Sequence, residues 1–335
     1  MMKKLYLLLI SVLLCVGFSY AQNWQADVLG DNYEMRYVNQ PDDYSGKVRS
    51  AIVRKKAVVD ICRAILYVHG YNDYFFQKEM GDLFVDSCYN FYALDLRKYG
   101  RSYMDGQKRF EVRDYSEYFA DIDSAMAQII KDGNKKIFLM GHSNGGLVTS
   151  YYMAKGQGTK FPIMGLMLNS PFLDMNLGSF TENVLVPVVG WISNLFPSIS
   201  IPQGASTGYA ESLLKKYHGE WDYNTDWKLM ISPDVTSGWI GAVHNAQSFI
   251  QDGVDVGVPV LLMYSDKTVN GEEWTPDFNK ADVVLDVKDI ARYGAHLSDE
   301  VESVEFKDGL HDLILSRKDV REAVYKRIFK WMSIH

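Results

Sequence analysis

Apolar residues in this chain follow two rhythms, short unbroken runs and runs spaced three and four apart. The segment Arg63-Ala64-Ile65-Leu66-Tyr67-Val68 is nearly continuous in apolar residues, as a strand buried on both faces of a parallel sheet would be. Tyr89 to Arg97, Ile137 to Met140, Met164 to Phe172, Val258 to Tyr264 and Ser303 to Phe306 repeat the strand pattern. Between them Tyr115 to Met126 and Leu147, Val148, Tyr151 and Tyr152 show helical spacing. Ahead of this series, Tyr33 to Tyr37 and Val48 to Val53 flank the turn cluster Pro41 to Gly46 and predict an antiparallel pair. Strand and helix then alternate, which predicts an α/β fold: a mostly parallel sheet with helices on both faces and reactive groups at the carboxyl ends of its strands.

The alternation is predicted to fail from about 174 to 253. There Val184 to Ile192 and Phe196-Pro197 are apolar, while Tyr209 to Tyr223 is mixed and aromatic. An insertion of this kind is a candidate helical lid, against the plainer reading of a helical region packed into the core. An apolar cover implies a substrate with an apolar part.

One turn carries chemistry. Gly141-His142-Ser143-Asn144-Gly145 joins the Ile137 strand to the Leu147 helix and has the G-x-S-x-G arrangement, in which a serine sits on a sharp strand-to-helix corner. Glycine on either side is needed because a side chain there would crowd the strand and helix as the backbone reverses. A serine nucleophile also needs two backbone N–H donors for the oxyanion. Asn144 supplies the first expected donor, and Tyr71, in the His69-Gly70-Tyr71 loop after the first parallel strand, supplies the second. His311, in Asp308-Gly309-Leu310-His311 after the last strand, fits the chain order of nucleophile, acid, then base. The remaining histidines fit other places: His142 is expected to point away within the turn, His335 is terminal, and His218, His244 and His296 fall in the insertion or an expected helix.

The segments HG at 69–70, D-L-R-x-x-G-R-S from Asp95 to Ser102, and G-H-S-N-G-G from 141 resemble the α/β-hydrolase superfamily, most closely its monoacylglycerol lipase and S33 serine aminopeptidase-like branch. The resemblance runs from Tyr33 to the end and is weakest between Asp174 and Gly253. It implies the α/β-hydrolase fold, a Ser-His-Asp triad and hydrolysis of acyl bonds without metal or organic cofactor. Tyr99 and Asn144 depart from common residues of the branch, and neither is asked for side-chain chemistry. Two aspartates compete for the acid. Asp282 lies 311 − 282 = 29 residues before His311, which suits the family's stretch, and is preferred. Asp266, at the strand end, lies 311 − 266 = 45 residues before it and requires Lys267 to Lys280 to be an excursion. Asp286 reads better as an acid in the first turn of a helix.

A carboxylic-ester hydrolase is the leading expectation. An S33-type aminopeptidase is an alternative, for which Glu182, Glu211 or Glu220 could bind a substrate amine, and a non-catalytic binding module of the same fold is another. The chain of 335 residues, 47% apolar, is long enough for one large domain over 22–335. A formal charge of −7 with no basic stripe argues against nucleic acid as a partner. Lys3 and Lys4, the apolar run Leu5 to Phe18 and Ser19-Tyr20-Ala21 predict a signal peptide cleaved after Ala21, hence export to the periplasm or the exterior with no membrane span afterwards. The apolar run is short for an uncleaved anchor, and Leu14 before Cys15 argues against lipidation. Cys62 and Cys88 then remain, either paired or as two separate buried thiols, and no C-x-x-C or clustered His/Cys set indicates a metal.

Overall fold

The computed structural model describes residues 23–59, 61–175, 193 and 195–335. The expected leader, the apolar run 184–192 and Glu182 lie outside the described residues. One short and two long strands open the fold, β1 (Gln25–Ala26), β2 (Glu34–Asp43) and β3 (Gly46–Lys55); they pair antiparallel, β2 with β3 as the 41–46 turn predicts. The parallel series follows: β4 (Arg63–Val68), β5 (Asn90–Asp95), β6 (Lys136–His142), β7 (Ile163–Asn169), then β10 (Val260–Ser265) and β11 (Val301–Phe306). Together they form a nine-stranded sheet of order β1-β2-β3-β5-β4-β6-β7-β10-β11. The pairs from β5 through β11 are parallel, so their carboxyl ends share one edge.

Side chains of a strand alternate faces, and here each face has its own core. Ala64, Leu66, Val68, Ile137 and Leu139 pack under α2 (Phe119–Lys131), α3 (Asn144–Ala154), α5 (Ser237–Gln251) and α6 (Val287–Gly294). Ile65, Tyr67, Phe138 and Met140 pack under α1 (Lys78–Asp86) and α7 (Lys318–Met332). Runs without polar interruption are what burial on both faces demands.

The expected insertion is shorter at its C-terminal limit than 253. The described part holds the two-stranded ribbon β8 (Ser200–Ile201) and β9 (Val235–Thr236) and the short helix α4 (Gly208–Leu213). From Ser237 onward the chain is helix α5, capped by Thr236, whose hydroxyl accepts the Trp239 N–H at 3.0 Å. Val243, Ala246 and Ile250 of that helix are buried in the main core, so alternation resumes before Gly253. Cys62 is exposed and Cys88 half-buried, and both are free thiols, which removes the pairing and the fully buried alternative for Cys62. Among the described residues no helix is long and apolar enough to cross a membrane.

Asp95 ties the edge together below the site. Its carboxylate accepts the Phe75 N–H at 3.0 Å, the Arg101 N–H at 3.0 Å and Arg101 Nη1 at 2.9 Å, joining the turn after β5 to the loop after β4. The D-L-R-x-x-G-R-S segment is therefore architectural, and Gly100 is required within it: φ is +42° and a Cβ would lie 2.6 Å from Asp95 Oδ2.

Candidate active site

Ser143 stands between β6 and α3 with φ 50° and ψ −117°, a backbone region that costs a non-glycine residue about 1–3 kcal/mol. The surroundings enforce it. Ser143 donates its N–H to Asn169 O at 3.0 Å, and its carbonyl accepts from Leu147 at 3.1 Å and Phe172 at 2.9 Å. The flanking glycines allow the corner to close: a Cβ on Gly141 would lie 2.5 Å from Gly145 O, and one on Gly145 would lie 2.3 Å from Val68 O and 2.4 Å from His69 O. Those obstacles are backbone and cannot rotate away. Gly145→Ala is accordingly expected to destabilise the protein by about 3 kcal/mol, at the upper end for overpacking, read as a lower urea midpoint with unchanged slope.

His311 and Asp282 meet at this corner. His311 Nε2 lies 2.9 Å from Ser143 Oγ, and Nδ1 lies 2.8 Å from Asp282 Oδ2. The other Asp282 oxygen accepts the N–H groups of Val284 and Leu285, each at 2.8 Å, so the fully buried carboxylate is satisfied on both sides. Asp266 does not reach His311's ring in this arrangement; its Oδ1 accepts the Asp308 N–H at 2.7 Å and its own N–H bonds Phe306 O. Between the two aspartates the chain does leave and return. Asp282 N–H donates to Lys267 O at 3.0 Å and Val269 N–H to Asp282 O at 2.9 Å, which brings Asp282 back beside the end of β10. Asp286 caps α6, accepting the Lys288 N–H at 2.9 Å, in keeping with a helix-start position.

The expected oxyanion donors flank the serine. Asn144 is the first residue of α3, where the N–H has no carbonyl within the helix to bond. Its side-chain Oδ1 accepts from the Tyr115 hydroxyl, while the buried Nδ2 has no hydrogen-bond partner among the described residues. The His69-Gly70-Tyr71 loop touches the corner closely: a Cβ on Gly70 would lie 3.2 Å from Ser143 Cβ. His69 itself is structural. Its Nε2 accepts the Leu96 N–H at 3.1 Å, which leaves Nδ1 protonated toward Gly70 O at 2.8 Å, and its ring packs on Tyr99 at 4.9 Å. Phe110, Tyr71, Trp239 and Phe172 form an aromatic wall beside this loop, with ring separations of 5.1, 5.0 and 6.5 Å along the series.

Several residues at the site carry no signal in the sequence. His142 does not simply point away; its ring is buried 5.0 Å from that of His311, with Nδ1 3.1 Å from Asn169 O, and burial pushes its pKa down. Asp312, next to His311, accepts from Asn169 Nδ2 at 2.7 Å and Gln77 Nε2 at 3.2 Å, fixing the loop that bears the histidine. Asp73, His142 and Asp312 each place a possible ligand atom within 4.8 Å of the others, a cluster that linear spacing does not reveal. Its carboxylates are already engaged, Asp312 as above and Asp73 by Lys228 Nζ at 3.0 Å. Of the other histidines, His218 stacks on Trp274 at 3.4 Å and His335 packs on Trp331 at 4.6 Å.

A family model described as serine aminopeptidase, S33, matches residues 60–271. No curated protein matches the sequence. Among solved structures, a soluble variant of monoglyceride lipase from Saccharomyces cerevisiae in complex with a substrate analogue is 15% identical, with 92% of this chain and 93% of that one covered at a TM-score of 0.63. The monoacylglycerol lipase of Paleococcus ferrophilus is 20% identical, covering 84% and 97% at 0.59. A highly thermostable carboxyl esterase from Bacillus coagulans in complex with glycerol is 13% identical, covering 89% and 98% at 0.59. These likenesses are of fold.

Proposed function

Because the chain belongs to the serine aminopeptidase S33 family of α/β-hydrolases, we propose that it is a serine hydrolase whose substrates are carboxylic esters with an apolar acyl group. The observation that carries this reading is the continuous hydrogen-bonded series Asp282, His311, Ser143 at the carboxyl edge of a parallel sheet. His311 Nε2 takes the hydroxyl proton as Ser143 Oγ attacks the ester carbonyl. The N–H groups of Tyr71 and Asn144 receive the developing oxyanion, with the positive end of α3 adding to the field there. His311 returns the proton to the departing alcohol, and water then releases the acid by the same steps in reverse. Asp282 holds the Nδ1–H tautomer and stabilises the imidazolium. The aromatic wall of Tyr71, Phe110, Phe172 and Trp239 favours an apolar acyl chain, and the names of the lipase and esterase neighbours accord with this substrate class.

A peptidase acting at free amino termini is the second reading, favoured by the family's description. It needs an acid free to bind the amine. Glu211 instead accepts from the Thr207 hydroxyl at 2.6 Å, and Glu220 is bonded to Arg321 at 2.7 Å. Short-chain p-nitrophenyl esters assayed beside aminoacyl amides separate the two: esters are expected to give the higher kcat/KM, rising with acyl length. A preference for amides bearing a free amine would reverse the order of the two readings.

A further inference from the structure

Beyond the end of β4 at Val68, the loop that carries the Tyr71 N–H is tied to the end of β5 at His69 and Phe75. Between these two, from Tyr71 to Tyr74, it is held by the insertion, residue by residue. The Tyr71 hydroxyl reaches Pro233 O at 3.5 Å. Asn72 makes a two-bond bridge, accepting the Leu229 N–H at 2.8 Å and donating Nδ2 to Leu229 O at 2.8 Å, in the manner of a strand pairing with one side-chain amide substituting for backbone. Asp73 pairs with Lys228 Nζ at 3.0 Å. The Tyr74 hydroxyl accepts the Asn224 N–H at 2.8 Å, and its ring stands edge-on to Trp227 at 5.1 Å.

Two features make this more than packing. Asn72 lies at φ +48°, so the loop turns through a left-handed residue immediately after the expected oxyanion donor, and the Leu229 bridge is what fixes that turn. The ion pair is buried, with Asp73 1% and Lys228 6% exposed, and Lys228 Nζ lies about the rings of Tyr209, Tyr223 and Phe76 at 5.7, 5.9 and 6.0 Å. Burial alone would raise the Asp73 carboxyl, but the Lys228 ammonium beside it holds it below the usual carboxylate range. A charged pair in such a place is weak as a source of stability and strong as a register mark. Asp73 also turns its second oxygen toward the Gly70 N–H at 3.4 Å, one residue before Tyr71.

We propose that the segment 224–233 sets the position of the Tyr71 oxyanion donor, with Asn72 and the Asp73–Lys228 pair as positioning residues. The inference rests on the hydrolase reading of the same site. Displacement of a preorganised donor by about 1 Å is enough to cost roughly 100-fold in rate, and the donor here is fixed by contacts that come from the insertion.

Two variants test it. Asn72→Gly keeps a residue at ease with positive φ while deleting both bonds to Leu229. Asp73→Asn combined with Lys228→Met removes both charges together, so that neither is stranded, and serves if the glycine variant does not fold. Each is assayed on a p-nitrophenyl ester and on the matching thionoester, whose C=S sulfur is poorly stabilised by N–H donors placed for oxygen. Expected in both variants is a fall in kcat on the ester of about 10- to 100-fold, below the loss for full removal of a donor, with KM little changed and the ester-to-thionoester ratio of kcat/KM narrowed. A merely structural role predicts equal losses on the two substrates, since a misfolded fraction scales both alike; that result, or an unchanged kcat in folded variants, overturns the proposal. Wild-type protein that takes no fluorophosphonate at Ser143 would sink the hydrolase reading, and this inference with it.

Discussion

Ser143→Ala is expected to abolish labelling by a fluorophosphonate probe and to lower ester kcat by about 10⁶-fold, the scale seen when a serine nucleophile is removed from an intact triad. The protein should still fold. The unusual backbone at this position is set by Asn169, Leu147 and Phe172 through main-chain bonds, none of which uses the hydroxyl. Alanine accepts the same φ and ψ at similar cost, and the Gly141 and Gly145 positions that let the corner close are unchanged. What disappears is one hydrogen bond to His311 Nε2, worth about 1 kcal/mol. Thermal unfolding should therefore shift by only a few degrees, while the covalent chemistry is lost. Persistent labelling in the variant would mean that another nucleophile reacts, and the assignment of Ser143 would fail.

The parts of this site that could be read from the sequence are those in which a local pattern has a local cause. The run Arg63 to Val68 reads as a strand and is β4 with the same bounds, because burial on both faces leaves no room for polar residues. The glycines of the 141–145 turn read as a tight corner, and the atoms they spare are the backbone of that same turn and the adjacent strand. By contrast, α1 has Gly81 in its middle and no side-chain cap, and it forms because Met80 and Phe84 are buried against the sheet. The helix α5 was hidden by the aromatic and polar mixture before it. Asn169, Asp312 and Asn72 act through partners 143 and 157 residues away, and no spacing rule reaches across such distances. The acid was the intermediate case: its order in the chain was legible, but the path of 267–280 was not, and that path decides which carboxylate arrives at His311.

That decision has a sharp consequence for two substitutions of the same chemical kind. Asp282→Asn is expected to reduce kcat by roughly 10⁴-fold, whereas Asp266→Asn should leave it within a few-fold. Asparagine at 282 has one acceptor oxygen where aspartate has two. If that oxygen keeps the N–H groups of Val284 and Leu285, the amide nitrogen faces His311 Nδ1, and two donors cannot meet. The imidazole resolves the conflict by moving its proton to Nε2, which then has no lone pair for the Ser143 hydroxyl. The base is present but in the wrong tautomer, and no charge remains to stabilise the imidazolium. At 266 the carboxylate has a different task, accepting the N–H of Asp308, and an asparagine oxygen performs it equally well. Steady-state ester hydrolysis measured on both variants, with circular dichroism to confirm folding, gives the contrast. A large loss in Asp266→Asn with near-normal turnover in Asp282→Asn would move the acid to the strand end and remove Asp282 from the mechanism.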